Sequence, residues 1–176
     1  MKTLLLGMLA LGMTISLIGA KVESEEEGLA AERRHAPTLE GAMVDSREVT
    51  LLSIAPDSRY DPQENGRSYV IVDDLEGSWL ITGEAKIADP KTIADLAGSL
   101  RRSIEEKREF GPPPCFSPRH ALRFQRGSEV VTVLVCFECW QCYTHRFKER
   151  GYFQVSLSAE PIWTAIFTKA GLKISE

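Results

Sequence analysis

From Asp89 to Phe110 the apolar residues recur at helical spacing, with Ile93, Leu96, Ala97, Leu100 and Ile104 falling on one face. Asp89 is placed to cap the N-terminus, and Pro90 takes the first helical position, where its missing N–H costs nothing. The pattern predicts an amphipathic helix of about four turns, and its apolar stripe needs a sheet to cover it. Gly111 and Pro112 to Pro114 end it.

Elsewhere the apolar period shortens towards two. The stretch "REVTLLSIAP" (47–56) predicts a first strand carrying Val49, Leu51 and Ile54, ended by Pro56. A polar loop with an Asn65-Gly66 turn signal follows, and "SYVIVDDLEGSWLITGEAKI" (68–87) predicts one or two strands interrupted near Glu76-Gly77. After the helix come "HALRFQ" and "EVVTVLVCFECWQCYTH", joined at Arg126-Gly127-Ser128. With Gly127 and Ser128 as the two loop residues, Arg126 faces Glu129, Phe124 faces Val131, Leu122 faces Val133 and His120 faces Val135. His120, Leu122, Phe124 and Phe137 then share an apolar face, while Arg119, Arg123, Thr132 and Glu138 share the other. A last strand, "YFQVSLS", leads to a short helix capped by Ser158 and closed by Gly171. Strands, helix, strands, helix implies an α+β fold: an antiparallel sheet with one long amphipathic helix and a short C-terminal helix.

The first 46 residues follow neither period. Residues 1–20, "MKTLLLGMLALGMTISLIGA", have the basic start, apolar run and small-residue exit of a secretory signal peptide. Its rival is a retained anchor, since an apolar run of roughly 18 residues is at the lower limit for spanning a bilayer. Residues 21–46 are charged and poor in branched and aromatic side chains, which predicts a flexible tether, with an acidic recruiting tail as the alternative. Residues 47–176 form the single expected domain. No second stretch approaches membrane-spanning length, so no span is expected after cleavage. The net charge of −4 offers no basic footprint and disfavours nucleic acid. A secreted or periplasmic location makes paired cysteines the leading expectation.

All four cysteines, Cys115, Cys136, Cys139 and Cys142, lie between residues 112 and 146. On a straight strand Cys136 and Cys142 share one face and Cys139 takes the other, so side-chain parity favours Cys115 with Cys142. One residue of slippage before Pro118 instead puts Cys115 beside Cys139. Four cysteines allow three pairings, and the spacing does not choose. A zinc-type reading draws on Cys115, His120, Cys136 and Cys139, and a thiol-redox reading places Arg119 beside Cys136 or Cys139 to favour a thiolate. Neither has its usual setting, because the C-x-x-C lacks turn residues and does not open a helix. Arg119 and Glu138 are set for a cross-strand ion pair, or for Arg119 to enter a pocket and hold an anion. His120 has the ordinary reading of a core histidine, and His35 and His145 are expected to be exposed. Known catalytic motifs and phosphate loops are missing from the chain.

The segments "CFSPRHALRF" and "VVTVLVCFECWQ" resemble an uncharacterised family of small exported bacterial proteins with C-F-x-P-R-H and C-F-x-C motifs. The likeness extends in outline over residues 47–172 and matches Cys115, Phe116, Pro118, Arg119, His120, Cys136, Phe137 and Cys139 by position. It implies a single domain and no transferable activity. Cys142 is extra to it, so a two-disulfide scheme does not follow. The expectation is an exported non-enzymatic domain of unknown partner, binding or envelope-associated, stabilised by cysteine pairing and needing no cofactor. The alternative is a zinc-binding or thiol-redox protein.

Overall fold

A computed structural model describes residue 30 and residues 34–56, 68–72, 77–106, 115–147 and 151–175. The signal stretch 1–20, most of residues 21–33, the Asn65-Gly66 turn, Glu76 and the Gly111–Pro114 run lie outside the described residues. Seven strands form an antiparallel sheet: β1 (Val49–Ile54), β2 (Tyr69–Val72), β3 (Gly77–Ile87), β4 (His120–Arg126), β5 (Glu129–Cys136), β6 (Gln141–His145) and β7 (Gly151–Gln154). Their spatial order is β2-β3-β1-β4-β5-β6-β7. Helix α1 covers residues 34–44, α2 spans Pro90–Glu105, and α3 spans Glu160–Lys169 after a 3-10 turn at Leu157–Ala159. The fold is α+β, as the alternation of periods predicts.

Helix α2 forms where its pattern places it. Asp89 accepts from the Thr92 backbone N–H at 2.9 Å and from its hydroxyl at 2.6 Å, and Pro90 opens the first turn. Ile93, Leu96, Ala97, Leu100 and Ile104 are all buried. Each large member of such a stripe contributes about 1.5–3 kcal/mol by leaving water. They pack on the sheet face formed by Val49 and Leu51 of β1, Leu122 and Phe124 of β4, and Val131, Val133 and Val135 of β5. Leu52, Ile54, Val70, Trp79, Ala121, Leu134 and Tyr143 build a smaller core on the opposite face.

The β4–β5 ladder has the predicted register from Arg126 with Glu129 to His120 with Val135. Gly127, at φ +59°, supplies the left-handed turn that sets it. Because β3 and β4 each pair antiparallel with β1, they run parallel to each other, and β3-α2-β4 is a crossover with β1 between its strands.

The domain begins earlier than residue 47. Within the expected tether, residues 34–44 are helical, and Ala36, Leu39 and Met43 enter the main core. Arg101 of α2 pairs with Glu40 at 2.9 Å. His35 is buried rather than exposed, stacked on Phe153 with ring centroids 5.2 Å apart. His145 is half-buried. The three core residues follow helical spacing, but their partners are remote in the chain and their neighbours are charged.

At the C-terminus, the hydroxyl of Ser156, not Ser158, accepts the capping N–H of the 3-10 turn. Helix α3 ends at Gly171 (φ +81°), where the Leu172 N–H bonds to the Phe167 carbonyl at 3.0 Å. Among the described residues no helix is long and apolar enough to cross a membrane.

Candidate functional site

The expected long strand from Glu129 to His145 breaks in two. Residues 137–140 turn tightly, closed by the Trp140 N–H on the Phe137 carbonyl at 3.0 Å, and the chain returns as β6. Trp140 adopts φ +52°, a left-handed conformation uncommon for a bulky residue. The Trp140 carbonyl accepts from the Val155 N–H at 3.0 Å, and Phe137 is buried edge-on against Trp163. Tertiary contacts thus make a turn where the residue types signal none.

That turn decides the sulfur geometry. It brings Cys136 and Cys139 together as a disulfide pair with Cα atoms 5.2 Å apart, and both side chains are buried. The parity argument for Cys115 with Cys142 assumed a straight strand and fails. Cys142 is buried on the helix-facing side of β6, opposite Val135 and Phe153. Cys115 instead reaches Cys139, with the two Sγ atoms 3.4 Å apart, and the Ser117 N–H points at the same Cys139 Sγ at 3.4 Å. Phe116 anchors this approach segment, edge-on to Trp79 and Tyr152. Cys115 itself is exposed.

A Cys136–Cys139 bridge clamps the turn without stapling the hairpin to its approach loop. Loop-closure entropy for so short a ring stabilises by about 2 kcal/mol, against about 3.5 kcal/mol for a link from Cys115 to Cys139. Among the described residues no three His, Cys, Asp or Glu side chains converge as metal ligands. Of the zinc-type set, Cys136 and Cys139 engage each other and His120 is turned into aromatic packing, so the four side chains do not converge in this arrangement.

Beside the disulfide lies a cavity of about 290 Å³, walled by Arg119, His120, Cys136, Glu138, Glu160 and Thr164. Arg119 precedes β4, where its carbonyl accepts from the Ile54 N–H at 3.2 Å. Its Nη1 meets Glu138 Oε2 at 2.5 Å, so the expected ion pair is present, made between the start of β4 and the turn after β5. Arg119 Nε is buried without a hydrogen-bond partner among the described residues.

His120 is 4% exposed, ringed edge-on by Phe137 at 5.3 Å, Phe167 at 5.0 Å and Trp163 at 6.2 Å. Its Nε2 also has no partner among the described residues. Burial, seconded by the Arg119 charge, pushes its pKa down to about 4. The imidazole is therefore neutral at physiological pH. Glu160 and Thr164, which the sequence does not mark as site residues, come from the first turns of α3. Their amphipathic positions carry no signal that separates a cavity wall from a solvated face.

A larger, charged groove of about 630 Å³ runs past Arg47, Glu48, Glu84, Lys86 and Arg123. Lys86 and Glu48 pair there at 2.8 Å. Its lining has no sulfur or imidazole, whereas the smaller cavity has both in Cys136 and His120. Compared with protein-family models, curated protein sequences and solved structures, the chain shows no match.

Proposed function

We propose that the chain is an exported, non-enzymatic α+β domain that binds a small polar molecule in the cavity beside the Cys136–Cys139 turn. The observation that carries this reading is that Arg119 and His120, both in the cavity wall, each keep a buried side-chain nitrogen, Nε and Nε2, with no hydrogen-bond partner among the described residues. Buried polar groups are nearly always satisfied, and one left open costs about 1–3 kcal/mol. A ligand that reaches them recovers that cost. Arg119 is balanced by Glu138, and Glu160 adds a second carboxylate to the wall. The charge therefore suits a zwitterion, with an acceptor oxygen towards Arg119 Nε and an amine towards Glu160, over a simple anion.

Binding is favoured over catalysis because the imidazole in the wall has a pKa of about 4, far from the range of an efficient general base near neutrality. Export rests on the sequence of residues 1–20, and it fits a chain whose C-x-x-C pairs as a disulfide. Thermal shift of the oxidised protein against a panel of free amino acids, small carboxylic acids and small amines tests the reading. Amino acids should raise the melting temperature of wild type and not of Arg119→Ala. Equal shifts in both proteins, or none with any compound, would reject it.

A further inference from the structure

We infer that Cys139 is a sulfur shared between two alternative disulfides, Cys136–Cys139 and Cys115–Cys139, which interconvert by internal thiol–disulfide exchange. Three observations converge on it. Cys115 is an exposed thiol outside the disulfide pair, its Sγ is 3.4 Å from Cys139 Sγ, and Cys136 is bonded to that same sulfur. The contact is held from both sides. Phe116 fixes the approach segment against Trp79 and Tyr152, while the Trp140 hydrogen bonds fix the turn. A thiol held 3.4 Å from a disulfide sulfur already meets the proximity requirement of exchange.

The step balances within the chain. Cys115 gives up its proton to solvent, and the thiolate attacks Cys139 Sγ. The Cys115–Cys139 bond forms as the Cys136–Cys139 bond breaks, and the bonding pair stays on the Cys136 sulfur, which takes a proton from solvent. One disulfide and one thiol enter and leave, so no oxidant or reductant is consumed. The Ser117 N–H, 3.4 Å from Cys139 Sγ, travels with the attacking segment and favours its seating. The Cys136–Cys139 link joins residues three apart and the other joins residues 24 apart, so the longer link gives the larger loop-closure stabilisation against unfolding.

The exchange moves the reactive thiol from the surface to the cavity. In one form Cys115 presents it to solvent. In the other, Cys136 presents it in the wall shared with Arg119 and His120, a thiol site for a small electrophile or small-molecule disulfide that fits there. The inference does not rest on the zwitterion reading, since it needs only the three sulfurs.

Alkylation mapping tests it on the full oxidised protein. Wild type is held at mildly alkaline pH with limiting iodoacetamide, acid-quenched, digested with pepsin at low pH and read as disulfide-linked peptides. Two singly labelled products are expected, one alkylated at Cys115 with Cys136–Cys139 intact and one alkylated at Cys136 with Cys115–Cys139 formed. Cys115→Ala should abolish the Cys136 label. In the same oxidising medium Cys136→Ala should close Cys115–Cys139. Label confined to one of the two residues in wild type overturns the inference, as does a folded Cys136→Ala protein that keeps Cys115 and Cys139 as thiols. The wild-type map decides the matter even where a variant fails to fold.

Discussion

Trp163 of α3 donates its indole N–H to the Ser99 hydroxyl of α2 at 3.1 Å, with both side chains buried. The same hydroxyl donates to the Leu96 carbonyl at 2.8 Å, so Ser99 joins the two helices through one oxygen. Ser99→Ala leaves the indole N–H buried and unsatisfied, which costs about 1–3 kcal/mol. In a Trp163→Phe background that orphaned donor is gone, and the cost of Ser99→Ala should fall well below its wild-type value. Urea titration of the four proteins checks the cycle. Additive losses would show that the bond contributes nothing.

The buried imidazole of His120 makes stability depend on acid. Its pKa is depressed in the folded chain to about 4, against an ordinary value of 6.5, so the unfolded chain binds more protons between those pH values. Stability from this group is therefore complete above about pH 6.5 and is lost progressively as the pH falls through 4. The span corresponds to roughly 3 kcal/mol. His120→Phe removes the titration and should flatten the pH dependence of the urea midpoint over this window. An unchanged slope would place the acid sensitivity elsewhere.

Arg119 and Glu138 differ in what each loses on truncation. Glu138 keeps about two-thirds of its side-chain surface, so Glu138→Ala should cost under about 1 kcal/mol. Arg119 is the more buried partner and also lines the cavity, so Arg119→Ala should cost more. The double variant should lose less than the sum, because the two act partly as a pair. Denaturant midpoints measure all three, and equal single losses would show that Arg119 acts only through Glu138.

Gly127 occupies a left-handed conformation in the β4–β5 turn, with open space where a Cβ would stand. Gly127→Ala pays the backbone term without a clash, about 1–2 kcal/mol. Gly127→Asn should recover part of it, since Asn tolerates that region better. Thermal melting of the pair gives the order Gly, Asn, Ala, and any other order would count against the turn's fixing the register.

The legible parts of this fold were those specified within a short window. Asp89, Pro90 and the stripe from Ile93 to Ile104 carry their own start, period and face. The β4–β5 register follows from a two-residue turn at Gly127-Ser128, and every predicted pair is present. What escaped depends on distant partners. Residues 34–44 become helical against Phe147, Phe153 and α2, and nothing within residues 21–46 reports those neighbours. The turn at residues 137–140 has neither Gly nor Pro, and Trp140 is driven to positive φ by contacts outside its window. That one unpredicted turn moved Cys139 from the wrong side of a strand to the centre of the sulfur cluster. The Arg119–Glu138 pair survived it, because side chains that long tolerate a turn between them.

Strand β1 lies between β3 and β4, and both of its partners are made after it. Synthesis runs from the N-terminus, so an interior strand of the sheet is produced first and its pairing is completed late. Until β4 has followed, Val49, Leu51 and Leu52 flank a ladder with one side open, and an open apolar edge pairs readily with another chain. A fragment ending after α2 is thus a template for self-association and not an early subdomain. Strands β4 to β7 each pair with a sequence neighbour, but the two halves of the sheet join only when its oldest strand is captured by its younger neighbours.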